Sequence, residues 1–127
     1  MNNIKILIAG GGTGGHLFPA LAIGEEIHSR KPSAKILYVG SIYGLEAKVF
    51  PIKDVWHTLL PIRGLQRQFD LKSIGRNSLL PIRILSSLHK INQLMREFLP
   101  HLVIGTGGYA SALPLLIATR RANRLPI

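Results

Sequence analysis

The sequence contains no cysteine among its 127 residues. This absence excludes disulfides and thiolate metal sites, and it is compatible with a reducing cytoplasm. Long hydrophobic runs are also missing. None approaches the length of a membrane span, and the aliphatic run at 4–9 is too short, and too soon followed by glycine, to be a signal sequence. We therefore predict a soluble protein that is not exported.

The sequence also lacks any cluster of metal-binding side chains. Its five histidines, at positions 16, 28, 57, 89 and 101, are scattered, without the His-Glu-x-x-His spacing of zinc enzymes, and no paired-carboxylate motif occurs. We predict neither a metal site nor a cofactor. Any chemistry must then come from the loops.

Acidic residues are scarce: six Asp and Glu stand against sixteen Lys and Arg, which gives a net charge of +10. Such a balance favours an anionic partner, either phosphate, nucleic acid or an acidic membrane surface. Seven basic residues lie between positions 63 and 96, but this stretch contains only Phe69 as an aromatic residue. Because nucleic-acid binders often add aromatic side chains for base stacking, we predict no nucleic-acid partner.

Glycine, in contrast, is abundant, and five glycines follow the aliphatic run at 4–9 within the segment Gly-Gly-Gly-Thr-Gly-Gly-His at 10–16. The run predicts a buried parallel strand, and the glycines predict a turn into a helix over about 17–30, with Pro19 tolerated in its first turn. Residues without Cβ let a ligand approach the main chain, and the helix dipole points at the same place. This stretch therefore predicts an anion-binding loop.

Two familiar phosphate-binding loops do not fit this segment. A nucleotide-triphosphatase loop requires Lys and then Ser or Thr after the glycines, whereas the sequence has His16 and Leu17. A dinucleotide-binding fingerprint matches three of the glycines, but the second strand, at 36–41, ends without the acidic residue that should hold the ribose. We consider both interpretations disfavoured.

A second glycine turn supports a third interpretation. The segment Gly-Thr-Gly-Gly at 105–108 follows a strand predicted at 101–104 and precedes a helix predicted at about 111–123. The carboxyl ends of parallel strands meet at one edge of a sheet, where open α/β folds bind ligands. Together the two turns could hold a diphosphate.

Four ordered motifs resemble those of the bacterial peptidoglycan glycosyltransferases that add N-acetylglucosamine to lipid I. They are Gly-Gly-Thr-Gly-Gly-His with Pro three residues on, Gly-Leu-Glu-Ala at 44–47, Arg-Gly-Leu at 63–65, and Gly-Thr-Gly-Gly-Tyr-Ala-Ser at 105–111. The resemblance implies one half of a glycosyltransferase B architecture: an α/β, Rossmann-like open parallel sheet with helices on both faces. The resemblance covers nearly all of residues 1–127, which correspond to the amino-terminal, acceptor-binding domain. This length is typical of one domain. The nucleotide-sugar domain of the family is absent from these residues.

The resemblance also implies an activity for the complete enzyme, as an inverting N-acetylglucosaminyltransferase. The sugar would move from UDP-N-acetylglucosamine, bound by the missing domain, to the C4 hydroxyl of lipid I, which forms lipid II. The attacking hydroxyl needs a base, and His16 is the only histidine beside a glycine turn. We predict that His16 is catalytic; the alternative is that it satisfies backbone groups at the helix start. The isolated chain is expected to be inactive.

The predicted acceptor-binding residues come from both glycine turns. Four glycines would bind the diphosphate through main-chain N–H groups, two threonines would bind it or order their turns, and a tyrosine would pack or contact the acceptor, as the family favours. These residues are Thr13, Gly14, Gly15, Thr106, Gly107, Gly108 and Tyr109.

Three other residues receive simpler interpretations. Glu46 lies in a short helix predicted at 44–50, which Pro51 should stop. We interpret Glu46 as a solvated helix charge, although the resemblance implies that its segment borders the site. Trp56 and His57 are predicted to be packing and surface residues, because nothing nearby in the sequence offers a triad or metal partner.

The connection at 70–98 has a helical pattern, with a longer helix from position 79 whose apolar stripe, Ile84, Leu88, Ile91, Met95 and Phe98, should face the core. Beside it, basic and apolar side chains are mixed as on surfaces that rest on anionic lipid. We predict this surface as a contact with the cytoplasmic face of the inner membrane; the alternative is a second core contact with solvated basic residues. It consists of Lys72, Ile74, Arg76, Leu79, Leu80, Ile82 and Arg83.

A second hypothesis is a noncatalytic membrane-docking subunit that holds a lipid diphosphate and recruits a separate nucleotide-sugar domain. Such subunits often carry a membrane-anchoring helix. The sequence contains no apolar run of that length, which favours the glycosyltransferase half.

Overall fold

Four short strands form one parallel sheet in the computed structural model, which describes residues 3–61 and 80–108, with the backbone alone for 80–84. The strands are β1 (Lys5–Gly10), β2 (Lys35–Ser41), β3 (His57–Leu60) and β4 (Leu102–Gly107), in the order β3-β2-β1-β4. Every neighbouring pair is parallel. Because β1 and β4 are neighbours, the two glycine turns lie side by side at one edge of the sheet, as predicted.

Within residues 3–61 and 80–108, three helices cover the two faces of this sheet: α1 (Gly14–Arg30), α2 (Glu46–Lys53) and α3 (Leu80–Phe98). Side chains alternate along each strand, so Leu7 and Leu37 pack against α3 on one face, whereas Ile8 and Tyr38 pack against α1 and α2 on the other. The prediction of helices on both faces is confirmed.

The apolar stripe of α3 forms half of the first core. Ile91, Met95 and Phe98 are buried against the sheet, and Leu88 packs partly buried beside them, as the helical spacing predicts. Ile84 belongs to the same predicted stripe, but its side chain lies outside the described residues.

Both prolines that were expected to mark helix boundaries lie inside helices. Helix α1 begins at Gly14, before the predicted start, so Pro19 lies in the second turn and the hydrogen bond that its missing N–H would make to the Gly15 carbonyl is absent. Helix α2 continues past Pro51 to Lys53. It ends where Asp54 adopts a left-handed conformation, φ 53°, and donates its N–H to the carbonyl oxygens of Phe50 and Pro51. Each proline removes one backbone hydrogen bond, and the hydrogen bonds of the neighbouring turns keep these helices continuous.

Strand β4 is longer than predicted, because Gly105 and Gly107 continue the ladder by pairing with Ala9 and Gly10. Thr106 is the extra residue of a bulge between these two pairs. Bulges are common beside active sites because they re-aim a side chain. The second glycine turn is therefore reduced to the residues at the end of β4.

Several predicted features lie outside the described residues: Tyr109, the helix at about 111–123, and Lys72, Ile74, Arg76 and Leu79. Leu80, Ile82 and Arg83 lie at the start of α3, where only the backbone is described. Within 3–61 and 80–108, no helix combines the length and the apolar character that crossing a bilayer requires.

Candidate functional site: two glycine turns at the start of a helix

The first glycine turn leads directly into α1. Thr13 is the N-cap, with extended backbone angles of φ −122° and ψ 163°, and its carbonyl oxygen accepts the N–H groups of His16 at 3.2 Å and Leu17 at 3.0 Å. Gly14 and Gly15 are the first two helical residues, and N–H groups at these positions have no acceptor within their own helix. They lie at the positive end of the helix dipole. This is the geometry with which proteins bind phosphate groups.

The second glycine turn touches the first because its residues have no side chains. At Gly108, where φ is 80°, a Cβ atom would overlap the carbonyl oxygen of Gly11. At Gly107, a Cβ atom would lie 2.6 Å from Cδ2 and 3.0 Å from Nε2 of the His16 ring. A larger residue at Gly108 would press on the backbone of the first turn, and one at Gly107 would displace the His16 ring.

Thr106 connects the two turns through its side chain. Its hydroxyl group donates to the carbonyl oxygen of His16 across 2.7 Å, which places the bulge of β4 against the first turn of α1. Gly10 accommodates the threonine, because a Cβ atom there would overlap Thr106 Oγ1. The hydroxyl proton of Thr106 is therefore used to order the turns.

The half-buried ring of His16 lies between the two turns. Its Nδ1 is 3.3 Å from Thr13 Oγ1, and its other nitrogen, Nε2, faces Gly107. In the tautomer whose Nδ1–H donates to Thr13, Nε2 carries the lone pair and is able to accept a proton. Thr13 thus orients a candidate base beside the N–H groups that are suited to an anion.

The structure corrects the prediction for Glu46. This residue is fully buried at the start of α2, where Oε1 accepts the N–H of Ser41 at 2.7 Å and Oε2 accepts the N–H of Gly12 at 2.9 Å. It is not a solvated helix charge, because the turn after β1 and the end of β2 converge on its position and supply backbone donors. Its segment borders the glycine turn, as the resemblance implied.

Sequence reasoning missed the role of Glu46, although a signal was present. The Glu46 side chain occupies a space that three glycines leave open, since a Cβ atom at Gly11, Gly40 or Gly44 would overlap it. Two of these glycines flank the end of β2, a few residues before Glu46 in the sequence. Closely spaced glycines at a strand end, followed by an acidic residue, are a pattern that can indicate a buried carboxylate.

The other predicted positions fall into two groups. Thr13, Gly14, Gly15, His16, Thr106, Gly107 and Gly108 come together at this edge of the sheet. Trp56 and His57, predicted as packing and surface residues, each combine a ring contact with partial exposure: the exposed indole of Trp56, just before β3, contacts Phe98 edge-on with ring centroids 5.2 Å apart, and the half-buried ring of His57 lies 5.4 Å from that of Phe50. Among the residues that the structure describes, no three His, Asp or Glu side chains gather as a metal ion would require.

The sequence profile described as the glycosyltransferase family 28 N-terminal domain matches residues 6–127. The chain belongs to glycosyltransferase family 28. In structure, this family 28 domain is similar to the crystal structure of Acinetobacter baumannii MurG, with a TM-score of 0.71 over 98% of this chain and 34% of that chain. The identity is 22%, so this similarity bears on the fold alone, and it confirms the predicted Rossmann-like architecture.

Two curated relatives share the name UDP-N-acetylglucosamine--N-acetylmuramyl-(pentapeptide) pyrophosphoryl-undecaprenol N-acetylglucosamine transferase. The relative from Christiangramia forsetii is 41% identical over 120 residues, which cover 91% of this chain and 30% of the relative. The relative from Flavobacterium psychrophilum is 42% identical over 119 residues, which cover 94% of this chain and 31% of the relative. The family 28 domain thus spans about 30% of the length of these relatives.

Proposed function

We propose that this chain is the amino-terminal, acceptor-binding domain of an inverting N-acetylglucosaminyltransferase. The complete protein would transfer the sugar from UDP-N-acetylglucosamine to the C4 hydroxyl of lipid I and thereby form lipid II. The observation that carries this proposal is the position of the His16 ring, which lies against Gly107 beside the first turn of α1. A candidate base and a candidate diphosphate site are thereby adjacent.

The acceptor diphosphate is assigned to the edge of the sheet where the two turns meet. The N–H groups of Gly14 and Gly15 lie at the start of α1, where helices bind anions, with Gly107 and Gly108 on the neighbouring turn. The names of the relatives include a pyrophosphoryl-undecaprenol, which is a lipid diphosphate. Tyr109 follows Gly108 and is proposed to contact the acceptor.

In the proposed reaction, the C4 hydroxyl oxygen of the acceptor attacks the anomeric carbon of N-acetylglucosamine. The bond from that carbon to the UDP oxygen breaks, and UDP leaves with the electron pair. His16 accepts the proton of the attacking hydroxyl at Nε2, since a neutral imidazole with a free lone pair can act as a general base. Attack opposite the leaving group inverts the anomeric centre. Thr13 holds the ring in the required tautomer through Nδ1.

Two further parts of the proposal concern the rest of the molecule. The nucleotide sugar is assigned to a second domain outside residues 1–127, which is consistent with the fraction of the relatives that this chain spans. The mixed basic and apolar surface of Lys72, Ile74, Arg76, Leu79, Leu80, Ile82 and Arg83 is assigned to the cytoplasmic face of the inner membrane, where the lipid-linked acceptor would be reached.

The direct test is a transfer assay with UDP-N-acetylglucosamine carrying a labelled sugar. A full-length protein that contains this chain should convert lipid I to lipid II, whereas residues 1–127 alone should not transfer sugar. An acceptor analogue without the diphosphate is the control, and it should be a poor substrate. Turnover by the isolated chain would refute the assignment of the nucleotide sugar to another domain, and a full-length protein without any transfer to lipid I would refute the proposed activity.

A further inference from the structure

Among the residues that the structure describes, Glu46 is the one acidic residue that is completely buried, and its two carboxylate oxygens bind two different segments. Oε2 accepts the Gly12 N–H at 2.9 Å, from the turn after β1, and Oε1 accepts the Ser41 N–H at 2.7 Å, from the last residue of β2. In contrast, Glu25 and Glu26 on α1 are exposed and pair with Lys53 and Arg30 at the surface. A buried carboxylate is costly unless hydrogen bonds compensate it.

Three glycines leave room for the Glu46 side chain. A Cβ atom at Gly11 or Gly44 would overlap its carboxyl group, and one at Gly40 would overlap its Cγ atom. Gly11 and Gly12 belong to the turn that precedes the start of α1. The carboxylate therefore lies behind the proposed diphosphate site, bonded to the backbone of the turn that forms it.

A glycine-rich turn needs such a restraint. Glycine populates more backbone conformations than other residues and loses more freedom when it is ordered. If the turn became ordered only when the ligand binds, the entropy cost of ordering it would reduce the affinity. A turn that is already ordered in the free protein avoids this cost. The bond from Gly12, whose φ is 89°, holds the turn in a conformation that L-residues rarely adopt. It also occupies the Gly12 N–H, so an anion must be bound by the N–H groups that follow, at Gly14 and Gly15.

We propose that Glu46 is a positioning residue, whose carboxylate fixes the turn at 10–13 in the conformation that binds the acceptor diphosphate. It acts through the backbone of Gly12 and does not touch the acceptor. This inference rests on the proposed function. It adds a residue from α2 and the end of β2 to a site otherwise built from β1, α1 and β4.

Glu46→Gln is the sharpest test, because the amide keeps the length of the side chain. Its NH₂ group must face either the Gly12 or the Ser41 N–H, two donors without an acceptor, so one of the two bonds is lost. In the full-length protein we expect the KM for the acceptor to rise by about 10- to 100-fold, the effect of losing a hydrogen bond to a charged group. The KM for UDP-N-acetylglucosamine should stay within about twofold of the wild-type value, since its site lies in another domain.

Two control variants separate positioning from general stability and from charge. Ile91→Val removes a methyl group from the core between α3 and the sheet, makes no change to the backbone or side chains of either glycine turn, and should lower the melting temperature without changing either KM. Glu25→Gln removes an exposed carboxylate on α1 and should change neither the KM for the acceptor nor the KM for UDP-N-acetylglucosamine. Hydrogen exchange of the peptide segment at 10–16 should become faster in Glu46→Gln and remain unchanged in both controls.

Inorganic pyrophosphate provides a second probe that does not depend on catalysis. Calorimetric titration of the full-length protein should show binding that Glu46→Gln weakens by about tenfold or more. If transfer to lipid I is absent but this dependence on Glu46 is found, the proposed function fails and the positioning role stands. If transfer occurs but Glu46→Gln leaves acceptor KM, pyrophosphate affinity and exchange at wild-type values, the inference is overturned. It is also overturned if the wild-type protein binds neither pyrophosphate nor the acceptor.

Discussion

The hydroxyl group of Thr106 donates to the carbonyl oxygen of His16 across 2.7 Å, although the two residues are 90 positions apart in the sequence. This bond joins the bulge at the end of β4 to the first turn of α1. It sets the distance between the two glycine turns, and it places the backbone of the candidate base. The geometry of the site therefore depends on a contact between the first helix and the last strand that the structure describes.

Replacing Thr106 by Val should loosen this junction, because valine has nearly the same shape but no hydroxyl. We expect the free energy of unfolding to fall by about 1 kcal/mol, the usual net value of one hydrogen bond. Urea denaturation followed by circular dichroism measures this loss. Thr58→Val, at a half-buried position on β3, is the matched control and should have a smaller effect. Equal losses in the two variants would show that the bond to His16 is not special.

His16→Ala in the full-length protein should lower kcat by about 10²- to 10⁴-fold, which is the usual contribution of a general base. The KM for the nucleotide sugar should remain nearly unchanged, since His16 is assigned to the proton transfer alone. His28→Ala, an exposed histidine in the last turn of α1, is the control and should keep its activity. Retention of most of the wild-type kcat by His16→Ala would reduce His16 to a structural residue.

Replacing glycine by alanine should have opposite effects on stability in the two glycine turns. At Gly15 the nearest contact to an added Cβ atom is Thr13 Oγ1 at 3.8 Å, so Gly15→Ala should fold normally and gain up to about 1 kcal/mol from the higher helix propensity of alanine. Its methyl group would nevertheless stand beside the N–H groups proposed for the diphosphate, so acceptor KM should rise.

Gly108→Ala, in contrast, should destabilise the domain, because a Cβ atom there overlaps the Gly11 carbonyl oxygen and φ is 80°. Thermal denaturation and acceptor kinetics of both variants provide the test. A Gly15→Ala variant with unchanged acceptor KM would argue against an anion site at the start of α1.

Tyr38 should make the stability of the domain depend on pH in the alkaline range. Burial, and then the nearby charge of Glu25, raise the pKa of Tyr38 above its ordinary value of 10.0. The unfolded chain therefore loses this proton at a lower pH than the folded chain does, and stability falls as the pH rises above about 10. Below that pH the contribution is fully present.

Urea denaturation across this range should show a shallower loss for Tyr38→Phe than for the wild type. Tyr43→Phe, at an exposed position, should follow the wild-type curve. A curve for Tyr38→Phe that is as steep as the wild-type curve would contradict the assignment.

The proposed membrane surface predicts binding to vesicles that contain anionic lipid. Each basic residue near such a surface contributes about 1 kcal/mol, so Lys72, Arg76 and Arg83 together should supply about 3 kcal/mol before screening by salt. Cosedimentation should weaken when these residues become Gln, and replacing Ile74, Leu79, Leu80 and Ile82 by Ser should weaken the binding that survives at high salt.

Changing three exposed basic residues of the described part, Lys31, Lys35 and Lys48, to Gln provides a control of equal charge. Equal binding to neutral and anionic vesicles, or equal effects of the two triple variants, would contradict the membrane contact. The apolar residues would then be interpreted as a second core contact and the basic residues as solvated charges.

The sequence by itself was sufficient for the features that depend on local pattern. Aliphatic runs that end in glycine predicted β1 and β4 and the adjacency of their turns, because parallel strands place their carboxyl ends at one edge. The helical spacing of Ile91, Met95 and Phe98 predicted the face that α3 buries. Strand and helix periods are properties of neighbouring residues, so they can be read without the fold.

Only the tertiary structure decided the environments of individual polar groups and the ends of helices. Glu46 has the local pattern of an exposed helix charge, and it is buried because donors from Gly12 and Ser41 meet at its position. Thr106 orders the site only because a bulge in β4 turns it toward His16. Hydrogen-bond partners separated by up to 90 positions leave no periodic trace in the sequence, since their proximity is created by the packing of the strands that carry them.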